Sequence, residues 1–299
     1  MTDILIIGAG PAGLTAAIYA RRAEKSVLVL ERESFGGQIN YSPKIENYPG
    51  FASVSGAELA DTFVSQALEL GAEVDIAEVT AIRPHDGVFT VETDSGCHEA
   101  RAVILATGAK HRHLGVSGEE ELIGDGISFC ATCDGAFYAE KDVLVIGGGN
   151  SAAAEALQLA ELCASVTMVQ NLSELTCEKT STERIAQKKN IRVITDANIQ
   201  SFYANGEKRG VRYADAQGAE QTVEADGIFI AVGLAPDNAS FVDVATLENG
   251  YIAAGDSCHT STPGLFTAGD CRTKAVRQIT TACADGTVAA LAAVEYLNG

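Results

Sequence analysis

Two glycine-rich turns, each entered from an apolar strand and left through an Ala-rich helix, constrain the fold of this 299-residue chain more than any other feature. The first is Gly8-Ala9-Gly10-Pro11-Ala12-Gly13. It follows the apolar run at 3–7 and opens a helical stretch at 14–24. The next strand, Val27-Leu28-Val29-Leu30, ends in Glu31. Strand, turn, helix, strand and terminal acid in this order form the dinucleotide-binding fingerprint. Gly8 permits the tight turn, Gly10 lets the backbone approach a pyrophosphate, and Gly13 lets helix and strand pack closely. The helix N-terminus supplies N–H groups and a positive dipole end to the phosphates. Glu31 is placed to accept hydrogen bonds from a ribose diol.

The pattern recurs in mid-chain. The strand at 142–146 runs into Gly147-Gly148-Gly149-Asn150-Ser151-Ala152, a helix follows to Leu162, and Val166-Thr167-Met168-Val169 is the next strand. The chain therefore holds two nucleotide-binding folds, an internal duplication of architecture. Residues 88–91 and 102–106 read as strands of the first, ending at Thr107-Gly108. The matching segment of the second half is 227–233. A late strand at 264–268 runs into Gly269-Asp270, and a last helix spans roughly 280–297.

Between the two turns lies Cys130-Ala131-Thr132-Cys133-Asp134-Gly135. Two cysteines at this spacing can close a small, reactive disulfide. Electron carriers on either side of a redox-active dithiol point to a disulfide oxidoreductase. Exchange needs a thiolate, so one sulfur must be stabilised by its surroundings. Asp134 has two readings: an acid protonated within the cycle, or a helix cap. The other cysteines (97, 163, 177, 258, 271 and 283) are scattered, and each reads as a small hydrophobe or an incidental thiol. No second close pair completes a zinc site, and the five histidines are dispersed, so no metal is expected.

A net charge of -19 makes nucleic acid an unsuitable partner and favours partners with a basic docking surface. No apolar run reaches the roughly 18 residues of a membrane span. The N-terminus enters a strand directly, without a basic leader, so a cytoplasmic protein is expected.

Gly8 to Gly13, Gly36-Gly37-Gln38, Ala106-Thr107-Gly108, Cys130 to Gly135, Gly147 to Ala152, Gly269-Asp270 and Arg277-Gln278 fall in the order and spacing of one family. Over essentially its whole length the chain resembles the low-molecular-weight thioredoxin reductases. The resemblance implies an α/β fold of two Rossmann-like (three-layer ββα) domains, the second inserted into the first. Residues 1–113 and 246–299 would bind FAD, and 114–245 would carry the dithiol and the second nucleotide fold. It implies a homodimer whose small domain rotates, and a thioredoxin or thioredoxin-like protein as partner. Gly8, Gly10, Pro11, Ala12, Gly13 and Glu31 would hold the ADP part of FAD. Gly37, Gln38 and Asn47 would lie near the flavin, with Thr107 and Gly108 at the same site. Gly269 and Asp270 would meet the ribityl–phosphate region, and Arg277 and Gln278 the isoalloxazine edge. Cys133 would face the flavin, Cys130 would be its partner, and Asp134 would shuttle a proton.

One stretch departs from the family. Members that use NADPH carry His-Arg-Arg after the second fold's second strand, with a further Arg four residues on, to grip the 2′-phosphate. Here the stretch is Gln170-Asn171-Leu172-Ser173-Glu174-Leu175-Thr176, with every arginine position neutral. The pyrophosphate turn of Gly147, Gly149, Asn150, Ser151 and Ala152 remains. NADPH is therefore not the expected donor. NADH, a ferredoxin or a deazaflavin are the alternatives, or the site is vestigial. Two other functions fit the motifs: a flavin-dependent dithiol oxidase passing electrons to oxygen, and a flavin-binding redox sensor.

Overall fold

Strands Thr2–Ile7 and Val27–Glu31 are apolar at nearly every position and buried along most of their length. Such strands need cover on both faces. The computed structural model, which describes residues 1–299, supplies it in two units: Met1–Lys110 with Ala235–Gly299, and His111–Leu234.

In the first unit the sheet order is Glu73–Ile76, Val27–Glu31, Thr2–Ile7, Gly96–Leu105, Val88–Thr93, Val79–His85, with Leu265–Thr267 also paired to Gly96–Leu105. The central pairs are parallel, with Ile6 opposite Val29 and Ile104. Gly96–Leu105 changes partner along its length. Its first half pairs antiparallel with Val88–Thr93, and its last residues pair parallel with Leu265–Thr267. Side chains alternate across the pleat. Ile4, Ile6, Val29 and Ile104 pack under the helices Pro11–Arg22, Gly56–Glu69 and Ile279–Asn298. Leu5, Leu28, Leu30 and Val103 face a β layer with Ile82, Phe89 and Val91. Helices, central sheet and β layer make the three layers.

The second unit repeats this plan. Ile191–Ile194, Ser165–Val169, Asp142–Ile146, Gly227–Ile230 and Ile127–Ser128 form an all-parallel sheet. Val143, Val145 and Met168 pack with the helix Asn150–Leu159. Leu144, Ile146 and Ile228 face the meander Asn198–Asn205, Lys208–Ala214, Glu220–Ala225 through Phe202 and Val211. Residues 235–245 fall with the first unit, because Phe241, Val244 and Ala245 are buried in its β-layer core beside Ile252 and Leu265. No helix is long and apolar enough to cross a membrane.

Candidate functional site

The first turn is shaped by close backbone approach. Gly8 has φ +105°, and a Cβ there would strike the Ala106 carbonyl. A Cβ on Gly13 would strike the Gly8 carbonyl. The helix Pro11–Arg22 starts at Gly10, has Pro11 in its first turn, and has no side chain capping its N-terminus. Its first N–H groups are thus left to a ligand. Glu31 holds the turn in place: Oε2 accepts the Ala9 N–H at 2.8 Å and Oε1 the Glu33 N–H at 3.0 Å. Ala106 and Thr107 lie against Gly8, and a Cβ on Gly37 would sit 3.4 Å from the Gly10 Cα.

The remaining residues expected at this site converge in part. Asn47 Nδ2 donates to Gln278 Oε1 at 3.3 Å, so two segments 231 residues apart meet. Gln38 is exposed in the 3-10 turn Gly37–Tyr41. Arg277 is committed to its own loop. Its guanidinium donates to the carbonyls of Asp270, Lys274 and Arg272 and lies 4.2 Å from the centroid of the Tyr251 ring. Asp270 Oδ1 is buried with no hydrogen-bond partner. Burial pushes its carboxyl up, against the pull of Lys274 and Arg277. A buried acceptor without a donor is costly, so this oxygen marks where a ligand hydroxyl fits.

Two residues at the core of this site escaped the sequence reading. Asp285, on the C-terminal helix, accepts the Gly269 N–H at 3.0 Å, Arg272 at 2.9 and 2.8 Å, and Lys274 at 2.8 Å. Burial alone would raise its carboxyl, but Arg272 and Lys274 outweigh burial and hold it below the usual range. Asn238, 1% exposed, accepts the Thr107 hydroxyl and donates to the carbonyls of Gly250 and Cys271. No local motif announces either residue, because each acts on a partner distant in sequence.

In the second unit Cys130 and Cys133 are joined in a disulfide, with Cα atoms 5.3 Å apart. Cys130 caps the one-turn helix Ala131–Asp134, and its Sγ accepts the Cys133 N–H at 3.2 Å. Ser128 links the pair to Asp134: its hydroxyl accepts the Cys130 N–H at 3.1 Å and donates to Asp134 Oδ2 at 2.6 Å. Burial pushes the Asp134 carboxyl up, and the Ser128 hydroxyl opposes it. The helix-cap reading of Asp134 fails, because its side chain makes no capping bond to the 3-10 helix that follows. The carboxyl is committed to Ser128, so a half-buried acid, raised by burial, stands next to the disulfide.

The second glycine turn matches the first closely. Gly149 has φ -82° and ψ -175° where Gly10 has φ -79° and ψ -175°. Gly147 donates to the Val169 carbonyl as Gly8 donates to that of Leu30. That register puts Gln170 where the first fold has Glu31. Gln170 is buried, its side chain lies against Gly148, and its Oε1 accepts the Asn171 N–H. The following segment is tied to the turn: the Thr176 N–H donates to the Gly148 carbonyl, and the Glu178 N–H to Asn150 Oδ1. Asn150, Ser151 and Ala152 form the first turn of the helix behind it. Asn171 and Leu172 are exposed and uncharged, and Lys179 points to Glu183 at 4.0 Å.

Residues 2–286 match the pyridine nucleotide-disulphide oxidoreductase family. A thioredoxin reductase of Treponema pallidum is 40% identical over 298 residues, covering 99% of this chain and 97% of that protein. A 34.2 kDa protein in a rubredoxin operon of Clostridium pasteurianum is 41% identical over 300 residues, covering 99% and 97%. The crystal structure of thioredoxin reductase from Streptococcus pyogenes superposes with a TM-score of 0.96 at 39% identity, covering 100% of this chain and 98% of that one.

Proposed function

We propose that this chain, which belongs to the pyridine nucleotide-disulphide oxidoreductase family as a low-molecular-weight thioredoxin reductase, reduces the disulfide of a thioredoxin or thioredoxin-like protein with electrons from a donor other than NADPH. It is a flavoenzyme type with a redox-active disulfide. The observation that carries the reading is the closed Cys130–Cys133 bond with the half-buried Asp134 carboxyl tied to it through Ser128.

The residues of the first unit fit FAD. The uncapped helix at Gly10 suits the pyrophosphate, and the partnerless Asp270 Oδ1 suits a ribityl hydroxyl. Asn47 and Gln278, already paired, stand ready for the ring edge, while Arg277 braces the loop behind them. When bound, FAD supplies the electron pair that opens the disulfide. Cys130 then attacks one sulfur of the target disulfide as a thiolate and expels the other. Cys133 next attacks the Cys130 sulfur of the mixed disulfide, restoring the internal bond and releasing the reduced target. Asp134 holds the proton that the departing sulfur takes. A homodimer completes the proposal.

Gln170, Asn171, Leu172 and Thr176 support the claim about the donor: they offer a 2′-phosphate no cation. NADH, a reduced ferredoxin or a reduced deazaflavin remain as donors. The test is to follow flavin absorbance anaerobically while each is added to the purified holoenzyme. Flavin bleached by one of these and a thioredoxin disulfide then reduced is the expected result. A colourless protein that does not take up FAD would end the proposal.

A further inference from the structure

The helix Asn150–Leu159 meets the dithiol segment twice. Thr132 Oγ1 donates to Gln158 Oε1 at 3.1 Å. About one turn earlier on the same helix, the Glu155 carboxylate faces the backbone N–H of Ala131, next in the chain to Cys130. Its other oxygen, Oε2, is buried and has no partner. An ionised carboxylate in that position leaves charge unsolvated, whereas a protonated one does not. Burial pushes the carboxyl up to about 7, so its charge changes near neutral pH.

The charged groups on neighbouring elements leave Glu155 uncompensated. Asp134, on the dithiol helix, bonds Ser128. Lys179 and Glu183, on the helix Lys179–Gln187, pair with each other, and Arg184 on that helix makes no ion pair with Glu155. Asp142, at the start of its strand, accepts from Ser165. None of these charges pairs with Glu155, and the backbone group it faces belongs to the residue after Cys130.

We propose that Glu155 stores a proton for the dithiol: the fraction of it that is ionised near neutral pH while Cys130–Cys133 is closed takes up a proton when the bond opens and Cys130 becomes a thiolate. The inference rests on Cys130–Cys133 as a redox-cycling pair, and on neither its natural donor nor its target. With a small dithiol as reductant the step balances. The reductant gives two electrons and two protons and closes to its own disulfide, while the Cys130–Cys133 bond breaks. One proton ends on the Cys133 sulfur and the other on Glu155. Cys130 carries the negative charge that Glu155 gives up. Cys130 is the sulfur suited to it, because it already accepts the Cys133 N–H. Glu155 acts through the Ala131 backbone, so it is a positioning residue.

The test uses the full chain reduced with dithiothreitol, which bypasses the donor. Iodoacetamide alkylation of Cys130, read by peptide mass across a pH series, should show two coupled inflections in the unmodified protein. Glu155→Gln retains an acceptor for the Ala131 N–H, and should lose one inflection and move the other to lower pH. Infrared difference spectra of the unmodified protein should gain a protonated-carboxyl band on reduction. That band should vanish in Glu155→Gln and persist in Asp134→Asn. A Glu155→Gln profile superimposable on the original, or no such band in the unmodified protein, overturns the proposal. A protein that meets both expectations yet reduces no thioredoxin-like disulfide would count against the proposed function alone. A pair that dithiothreitol cannot open would sink both.

Discussion

Asp134 has a half-buried carboxyl whose charge is tuned by one hydroxyl. Burial raises it and the Ser128 bond at 2.6 Å lowers it. Ser128→Ala leaves burial unopposed, so Asp134 stays protonated to higher pH. The basic limb of the kcat profile against pH should move up, with flavin content unchanged; a limb that stays in place would remove Asp134 from the proton path. Glu155 carries a stability signature of the same origin. Its folded value of about 7 lies above the ordinary 4.5. The stability it contributes is full below the unfolded value and is lost as pH rises through the folded one. Glu155→Gln cannot ionise. Its unfolding free energy should therefore fall less between about pH 5 and pH 8 than that of the unmodified oxidised protein, by on the order of 3 kcal/mol. Parallel curves from denaturant titration would contradict this.

At the scale of elements, the loop from Gly269 to Arg277 is held by the C-terminal helix through one carboxylate. Asp285, Arg272 and Lys274 have side chains only 10%, 6% and 7% exposed. Removing one member of such a cluster strands buried charge, which costs roughly 3–5 kcal/mol. Asp285→Ala should lower stability by that order, measured by denaturant unfolding, and should weaken FAD retention because the Gly269 N–H loses its anchor. Unchanged stability would show that the cluster is not a fastening. Such fastenings mark where sequence reading stops. Both strand–turn–helix units were legible because their logic is local: glycines at fixed offsets between an apolar strand and a helix. Asp285 and Asn238 were not, because they meet Gly269 and Thr107 across 16 and 131 residues. No local motif singles out Glu155 either, and only the fold sets it beside Ala131. The stretch 235–245 carries no motif either, and only the burial of Phe241 and Val244 places it with the first unit.

For the whole molecule, duplication has given two turns of nearly one geometry and two different chemistries at their ends. The first ends in Glu31, the second in Gln170 and an uncharged segment. On the proposed reading of the donor, each Arg–phosphate contact that this segment does not offer is a charge-assisted bond of roughly 1.5–3 kcal/mol. Losing two or more lowers affinity by a few powers of ten, at about 1.4 kcal/mol per tenfold. Asn171→Arg, Leu172→Arg and Thr176→Arg together should therefore raise NADPH affinity, read as a lower half-saturation for flavin reduction; no change would mean the pocket cannot present the phosphate there. The most direct measurement is anaerobic stopped-flow of flavin absorbance in the unmodified holoenzyme, with thioredoxin as terminal acceptor. NADPH should reduce the flavin slowly, without saturation and without preference over NADH. A competent donor should reduce it rapidly and drive thioredoxin reduction that Cys133→Ser abolishes. Fast, saturable reduction by micromolar NADPH would contradict the proposed donor, and thioredoxin reduction at full rate by Cys133→Ser would contradict the role of the dithiol.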